Sequence, residues 1–394
     1  MNRASPESFP WFRRKWRGRI RWVSSLGLLL VLSIPPVVSN LPLVSASEPA
    51  VALAGYEYVF PRDHGAHEEF LLEWWYFTGH LFTSTGRRFG YELTFFRSTM
   101  NDSRVKDHPS QWAIRQVYLA HFALTDVENH TFRYAEKLSR AGLGKAGAQT
   151  DRLEVWIDRW SVKPVALDHR TLRLEAEDGE VDIDLTLTNL KSTTIHGKNG
   201  VSRKGADVGQ ASHYYSLTRL DTKGTITMNG ERFMVTGLSW MDHEFGSGAL
   251  GKNQVGWDWF SLQLDGQLEL MVYMLRRQGG TPDPASSGTL IYSDGSSRHL
   301  TLQDILLRSH SVWHSPKSGA RYPSSWSLEI PSAGLSVDIQ PVQEDQELRT
   351  SKSTRVTYWE GAVDVHGVYQ GSPLQGVGYV ELTGYAKPLE MPGG

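Results

Sequence analysis

The chain has 394 residues, 41 Lys and Arg against 43 Asp and Glu, a formal net charge of −2 and no cysteine. The lack of cysteine excludes disulfides, thiolate catalysis and Cys-ligated metals. The balanced charge offers no basic footprint for nucleic acid, and the length allows two ordinary domains, each with its own core.

Residues 1–46 read as an export signal. Arg13, Arg14, Lys15, Arg17, Arg19 and Arg21 precede an apolar run over 23–38, which Pro35-Pro36 interrupts, and Val44-Ser45-Ala46 is a small-residue cleavage site. The rival reading is an uncleaved N-terminal anchor, for which the apolar run is short. Arg13-Arg14 weakly resembles a twin-arginine signal, and a general secretion signal fits equally. The segment carries seven basic groups and one acid, so its removal leaves a net charge of −8. The expectation is a bacterial protein of the periplasm or exterior.

From there the pattern is almost entirely β. Apolar alternation or β-rich runs occur over 90–96, 116–124, 153–162, 171–177, 181–188, 214–220, 233–238, 257–264 and 268–276, then over 325–330, 335–340, 354–365 and 376–384. Asp178-Gly179, Asn229-Gly230, Asp265-Gly266 and Asp294-Gly295 are hairpin signals. The best helix candidate is the short stretch 302–307. Many sequential strands joined by tight turns predict barrels, which remove exposed sheet edges. The strand number exceeds one small barrel, so the prediction is two in tandem, 47–248 and 249–394, divided in the Gly-rich stretch 245–256.

Four segments could carry chemistry. In Glu73-Trp74-Trp75-Tyr76, a strand would turn Glu73 and Trp75 to one face and Trp74 and Tyr76 to the other. Glu73 is then either an acid with a raised pKa in an aromatic wall or the partner of an Arg such as Arg97. In Trp240-Met241-Asp242-His243-Glu244, alternation puts Trp240, Asp242 and Glu244 on one face and His243 on the other. Acid, base and carboxylate between aromatics suit proton transfer, and a polar turn is the rival reading. Trp257 and Trp259 form a second aromatic face, and Tyr214 sits in a strand of its own. Asp63-His64 with His67-Glu68 has metal-like spacing, but a pocket rim is preferred and no metal or cofactor is expected. Nucleophile elbows, phosphate loops and zincin helices are absent, which leaves proton transfer or binding.

The segments FPRDHGAHEEFLLEWWYFTGHL, HFALTD, YYSLTRL, GLSWMDHEFG, GWDWFSLQL and YWEGAVDV…GYVELTGYA together resemble the AttH-like, carotenoid 1,2-hydratase-related family, whose members are labelled predicted secreted hydrolases. The resemblance runs from about residue 60 to 385. It implies an all-β chain of two tandem lipocalin-like antiparallel barrels. It also implies chemistry in which a proton is donated to carbon, aromatics stabilise the cation and water adds. By resemblance, Asp242-His243 matches the hydratase motif around a His, with Phe245 where that branch has Trp.

These readings assign proton transfer or orientation to Asp242, His243, Glu73 and Glu244. The pocket lining is expected from Trp74, Trp75, Tyr76, Trp240, Trp257, Trp259 and Tyr214. The expected partner is a hydrophobic small molecule, isoprenoid or lipid, with no nucleic acid and a surface able to associate with a membrane. A non-catalytic carrier of lipid or pigment is the alternative. It would hold Glu73, Asp242 and His243 in salt bridges away from any cavity.

Overall fold

A computed structural model describes residues 48–100, 114–166, 169–247 and 250–389. The expected signal over 1–46 and positions 248 and 249, at the expected domain boundary, lie outside the described residues. Two large antiparallel sheets, each curled into a barrel, account for almost all of the described chain.

The first sheet contains β1 (Leu72–Phe82), β2 (Arg88–Thr99), β3 (Gln116–Asp126), β4 (Thr131–Arg140), β5 (Ala146–Ala148), β6 (Val155–Ile157), β7 (Trp160–Pro164), β8 (Thr171–Glu177) and β9 (Val181–Asn189). It continues with β10 (Thr194–Ile195), β11 (Ser202–Arg203), β12 (Ala211–Met228) and β13 (Glu231–Gly246). The second contains β14 (Gln254–Leu264), β15 (Leu268–Arg277), β16 (Ser287–Ile291), β17 (Ser297–Thr301), β18 (Leu306–His314), β19 (Arg321–Ile330), β20 (Leu335–Pro341), β21 (Glu347–Arg349), β22 (Thr357–Tyr369) and β23 (Ser372–Leu382). In each sheet the chain meanders and then returns beside its start: β13 pairs with β1, and β23 with β14.

Alternation fills each barrel. In β9, Val181, Ile183, Leu185 and Leu187 point inward, and Asp182 and Asp184 point away. The turn joining β12 to β13 is Asn229-Gly230, with φ of +51° and +81°, a pair of left-handed residues that matches strand twist. The expected helix at 302–307 is a single 3-10 turn, Leu302–Asp304. Asp304 accepts the Thr301 N–H at 2.9 Å, the chain turns extended at Ile305, and β18 begins at Leu306.

β1, β14 and the half of β13 from Ser239 onward are buried on both faces, because the outside of one barrel lies against the outside of the other. This is why the segment around Trp74 and Trp75 has no polar face. Tyr76, Tyr214, Trp240, Trp259, Met271, Tyr273, Ala362 and Tyr379 form the apolar seam. Polar ties cross it: His80 Nε2–H donates to the Gly378 carbonyl at 2.7 Å, and Gln263 Nε2 donates to the carbonyls of Thr218 and Ser239 at 2.7 and 2.9 Å. Lys191 and Arg219 both reach Glu269, each at 2.5 Å.

Gly90 fixes how closely the barrels approach. A Cβ there would lie 2.6 Å from the Ala362 Cβ, and neither backbone can yield without separating β2 from β22. Gly90→Ala is therefore expected to destabilise by roughly 1–3 kcal/mol, the usual range for overpacking. Adding Ala362→Gly should restore most of that loss, as read from urea unfolding midpoints.

Candidate active site

Three neighbouring strands of the first barrel set the site by register. Tyr76 lies opposite Asp242 and Trp74 opposite Glu244, while Ser216 and Tyr214 flank the same two acids from β12. Alternation then sends Trp74, Tyr76, Tyr214, Asp242 and Glu244 to the seam and Glu73, Trp75, Tyr215 and His243 into the first barrel. The second barrel answers with a row across three strands: Trp259 on β14, Glu381 on β23 and Glu360 on β22 are direct cross-strand neighbours.

Between these walls is a cavity of about 520 Å³, a size that suits a small organic ligand. Trp74, Tyr76, Tyr214, Trp257, Trp259 and Tyr273 supply much of its aromatic surface, with Phe96 and Tyr358. Among the described residues its acids are Glu73, Asp242, Glu244, Glu360 and Glu381, and its one lining lysine is Lys204.

Asp242 is held from three sides. Tyr214 Oη donates to Oδ2 at 2.5 Å, Trp240 Nε1 donates to Oδ1 at 2.6 Å, and the Ser216 hydroxyl donates to Oδ1. Trp259 Nε1 in turn donates to Tyr214 Oη at 3.0 Å, so an aromatic of the second barrel orients the phenol that touches the acid. Burial pushes the Asp242 carboxyl up to about 7; the three donors oppose the shift and Glu244 adds to it. Glu381 accepts from Trp257 Nε1 at 2.8 Å and is likewise pushed up to about 7, chiefly by burial. Glu360 accepts from Tyr76 Oη at 2.7 Å. Burial, with Glu381 and Glu92 nearby, raises its pKa well above the carboxylate range. The cavity thus presents carboxylic acids that hold protons near neutral pH beside π faces able to stabilise positive charge.

The opposite face of β1 and β13 is a closed ion network. Arg97 Nε donates to Glu73 Oε2 at 2.7 Å, while His243 Nε2 and His67 Nδ1 approach Oε1 at 2.8 and 2.9 Å. Burial alone would raise the Glu73 pKa, but Arg97 and the two histidines hold it well below the usual range. Burial pushes His243 down against the pull of Glu73, so its ring is neutral and Nε2–H donates. Its Nδ1 then accepts from Tyr215 Oη at 2.9 Å, and Trp75 stacks on the ring at 4.8 Å. His67, Glu73 and His243 offer ligand atoms within 4.8 Å of one another, the spacing a metal ion would use, but Arg97 already neutralises Glu73 there.

The structure therefore brings Asp242, Glu244, Trp74, Tyr76, Tyr214, Trp257 and Trp259 together around one cavity. It turns His243 and Trp75 away from it, because a strand sends neighbouring residues to opposite faces; Glu73 and Arg97 are among the lining residues, but the Glu73 carboxylate is taken up by Arg97, His67 and His243. Trp240 touches the site through its hydrogen bond to Asp242 and is not among the lining residues. Sequence reasoning missed Glu360, Glu381 and Lys204. The signal for the first two was a lone Glu inside an apolar strand, in YWEGAV and GYVEL.

The model of the AttH-like family matches residues 51–385. The crystal structure of an AttH-type protein from Nitrosomonas europaea is 34% identical, with a TM-score of 0.76, over 85% of this chain and 99% of that one. Kievitone hydratase from Nectria haematococca shares the fold at 17% identity, with a TM-score of 0.64, over 84% of this chain and 93% of that one. The dehydratase asqC of Emericella nidulans is 25% identical over 227 residues, 55% of this chain and 62% of that one. The chain thus spans about three-fifths of the length of that dehydratase.

Proposed function

We propose, because this chain belongs to the AttH-like family and that family is related to hydratases and dehydratases, that it adds water to, or removes it from, an apolar small molecule held between the barrels. The observation that carries the reading is Asp242: a cavity-wall carboxyl, fixed by three donors, whose pKa is pushed up to about 7. At neutral pH a large share of the molecules hold that proton ready for donation.

In the direction of hydration, Asp242 gives its proton to one carbon of a double bond. The cation formed on the other carbon faces Trp74, Trp257 and Trp259. Water adds there and releases a proton to a carboxylate of the same wall, Glu381 or Asp242 itself. Dehydration runs the same steps backwards: the hydroxyl leaves with the acid's proton and the neighbouring carbon loses one. Glu360, held protonated beside Tyr76, supplies a second hydrogen-bond donor for the departing or arriving oxygen. Glu73, Arg97, His67 and His243 act through the backbone, by locking the register of β1 against β13. The sequence of residues 1–46 supports export before the protein meets this ligand, and the largely apolar cavity supports an isoprenoid-like or lipid-like substrate.

The test is incubation of the protein with an apolar extract of its own cells in water labelled with heavy oxygen. A product that has gained one labelled oxygen, or lost one molecule of water, is the expected result. A ligand recovered unchanged in mass at every pH from 5 to 9 would support the alternative of a carrier.

A further inference from the structure

Lys204 is the cation that the acid chemistry above leaves unused. It follows β11 on the strap between β9 and β12, which crosses onto the second barrel. Ser202 Oγ and Tyr273 Oη lie 2.9 Å apart, and Tyr273 Oη also donates to the Arg203 carbonyl at 3.0 Å. Gln254 Nε2 donates to the Lys204 carbonyl at 2.7 Å, and the Lys204 N–H donates to the Gln210 carbonyl at 2.8 Å. The backbone that carries the side chain is therefore tied at both barrels.

The ammonium pairs with Glu244 Oε1 at 2.7 Å and lies over the rings of Tyr273 and Tyr214, 4.3 and 5.2 Å from their centroids. Burial disfavours its charge, but Glu244 together with Tyr273 and Asp242 outweighs burial and keeps it protonated, which rules out an imine-forming amine at neutral pH. An ammonium has three N–H donors. Glu244 takes one, the ring faces offer no lone pair, and among the described residues no further acceptor is recorded for this nitrogen. Lys204 lines the cavity, so the spare donors have a ligand as their available partner. A second anion there would meet Glu244, Asp242 and Glu381 on the same walls, so an uncharged acceptor fits better than a carboxylate or phosphate.

We propose that Lys204, aimed by Glu244, binds an uncharged oxygen of the substrate, a carbonyl above all, and so that the substrate is an apolar ketone, enone or hydroxyketone rather than a plain hydrocarbon. This rests on the cavity being the ligand site but not on which acid moves the proton. The test uses two probes with the same carbon skeleton, 4-phenyl-3-buten-2-one and 1-phenyl-1-butene, read by quenching of the cavity tryptophans. Lys204→Met is expected to weaken the ketone by about ten- to a hundredfold, the worth of one hydrogen bond to a charged group, and to leave the hydrocarbon unchanged. If Lys204→Met leaves Glu244 unpaired and the protein unfolded, Lys204→Met with Glu244→Leu removes both charges and carries the same expectation. Equal losses for both probes, or none for either, overturn the carbonyl site while the labelled-water experiment still stands. Failure of wild type to bind either probe overturns the carbonyl site and the cavity reading together.

Discussion

Asp242→Asn is expected to lower kcat by roughly 10²–10⁴-fold, the usual contribution of a positioned general acid, with little change in ligand affinity. Asn keeps the shape, and its Oδ1 can still accept from Trp240 and Ser216, while its amide nitrogen faces Tyr214 Oη, which must turn from donor to acceptor; the transferable acid proton is lost. The wild-type rate should fall as pH rises through about 7, because the donor is the protonated form. The same shift governs stability. The folded protein keeps a proton on Asp242 up to about 7, whereas the unfolded chain releases it near an ordinary carboxyl value of about 3.9. Between those values the native state binds more protons, so stability is fully present at acid pH and declines as pH rises. Asp242→Asn should remove that decline and be the more stable protein at pH 8, by at most about 4 kcal/mol. Glu381 titrates in the same range, so a smaller slope should remain in the variant. Urea unfolding at pH 5 and 8, beside kcat measured on an identified substrate, separates the two effects. A variant with full kcat would remove Asp242 from the chemistry.

The barrel pair was legible because strands and hairpin turns are local. The apolar alternation of SLQLDGQLELMVYML and its Asp-Gly turn name β14 and β15 without any distant contact. The faces were legible for the same reason: a period of two places Asp242 with Glu244 and against His243 wherever the strand runs. Which face meets a ligand is another matter. β1 and the half of β13 that it faces from Ser239 to Gly246 are buried on both sides, so the Trp-rich pattern of Glu73-Trp74-Trp75-Tyr76 does not distinguish the core of a barrel from the seam between two. Glu360 and Glu381 were missed because their role comes from sheet pairing across β14, β23 and β22, over 122 positions of sequence between Trp259 and Glu381. Lys204 sits in a Gly-rich stretch that reads as a surface loop, and only its ties to Tyr273 and Gln254 carry it inward. The sequence did offer Arg97 as a partner for Glu73, and the structure pairs them.

That pair gives the second large effect. Arg97→Met is expected to destabilise the protein by about 3–5 kcal/mol, because it leaves the fully enclosed Glu73 carboxylate without its main counter-charge. His243 is neutral, and His67 already answers to Asp63 at 3.4 Å as well as to Glu73, so neither can replace a guanidinium. Glu73 is held well below the carboxylate range in the wild type, so the pair's contribution is present at neutral pH and is lost only in strong acid, as Glu73 protonates. In Arg97→Met the Glu73 carboxyl should protonate at higher pH, and the gap to wild type should narrow between pH 7 and 4. The double variant Arg97→Met with Glu73→Leu should be more stable than Arg97→Met alone, since a buried pair replaced by apolar groups loses far less than a pair broken on one side. Chemical denaturation of the three proteins measures this. The protein that remains folded should still bind 4-phenyl-3-buten-2-one with an affinity within a few-fold of wild type, because Arg97 and Glu73, although they line the cavity, spend their charges on each other and not on the Asp242 and Lys204 groups. A selective loss of turnover in the double variant, with stability and probe binding intact, would instead move Glu73 from the frame of the site into its chemistry.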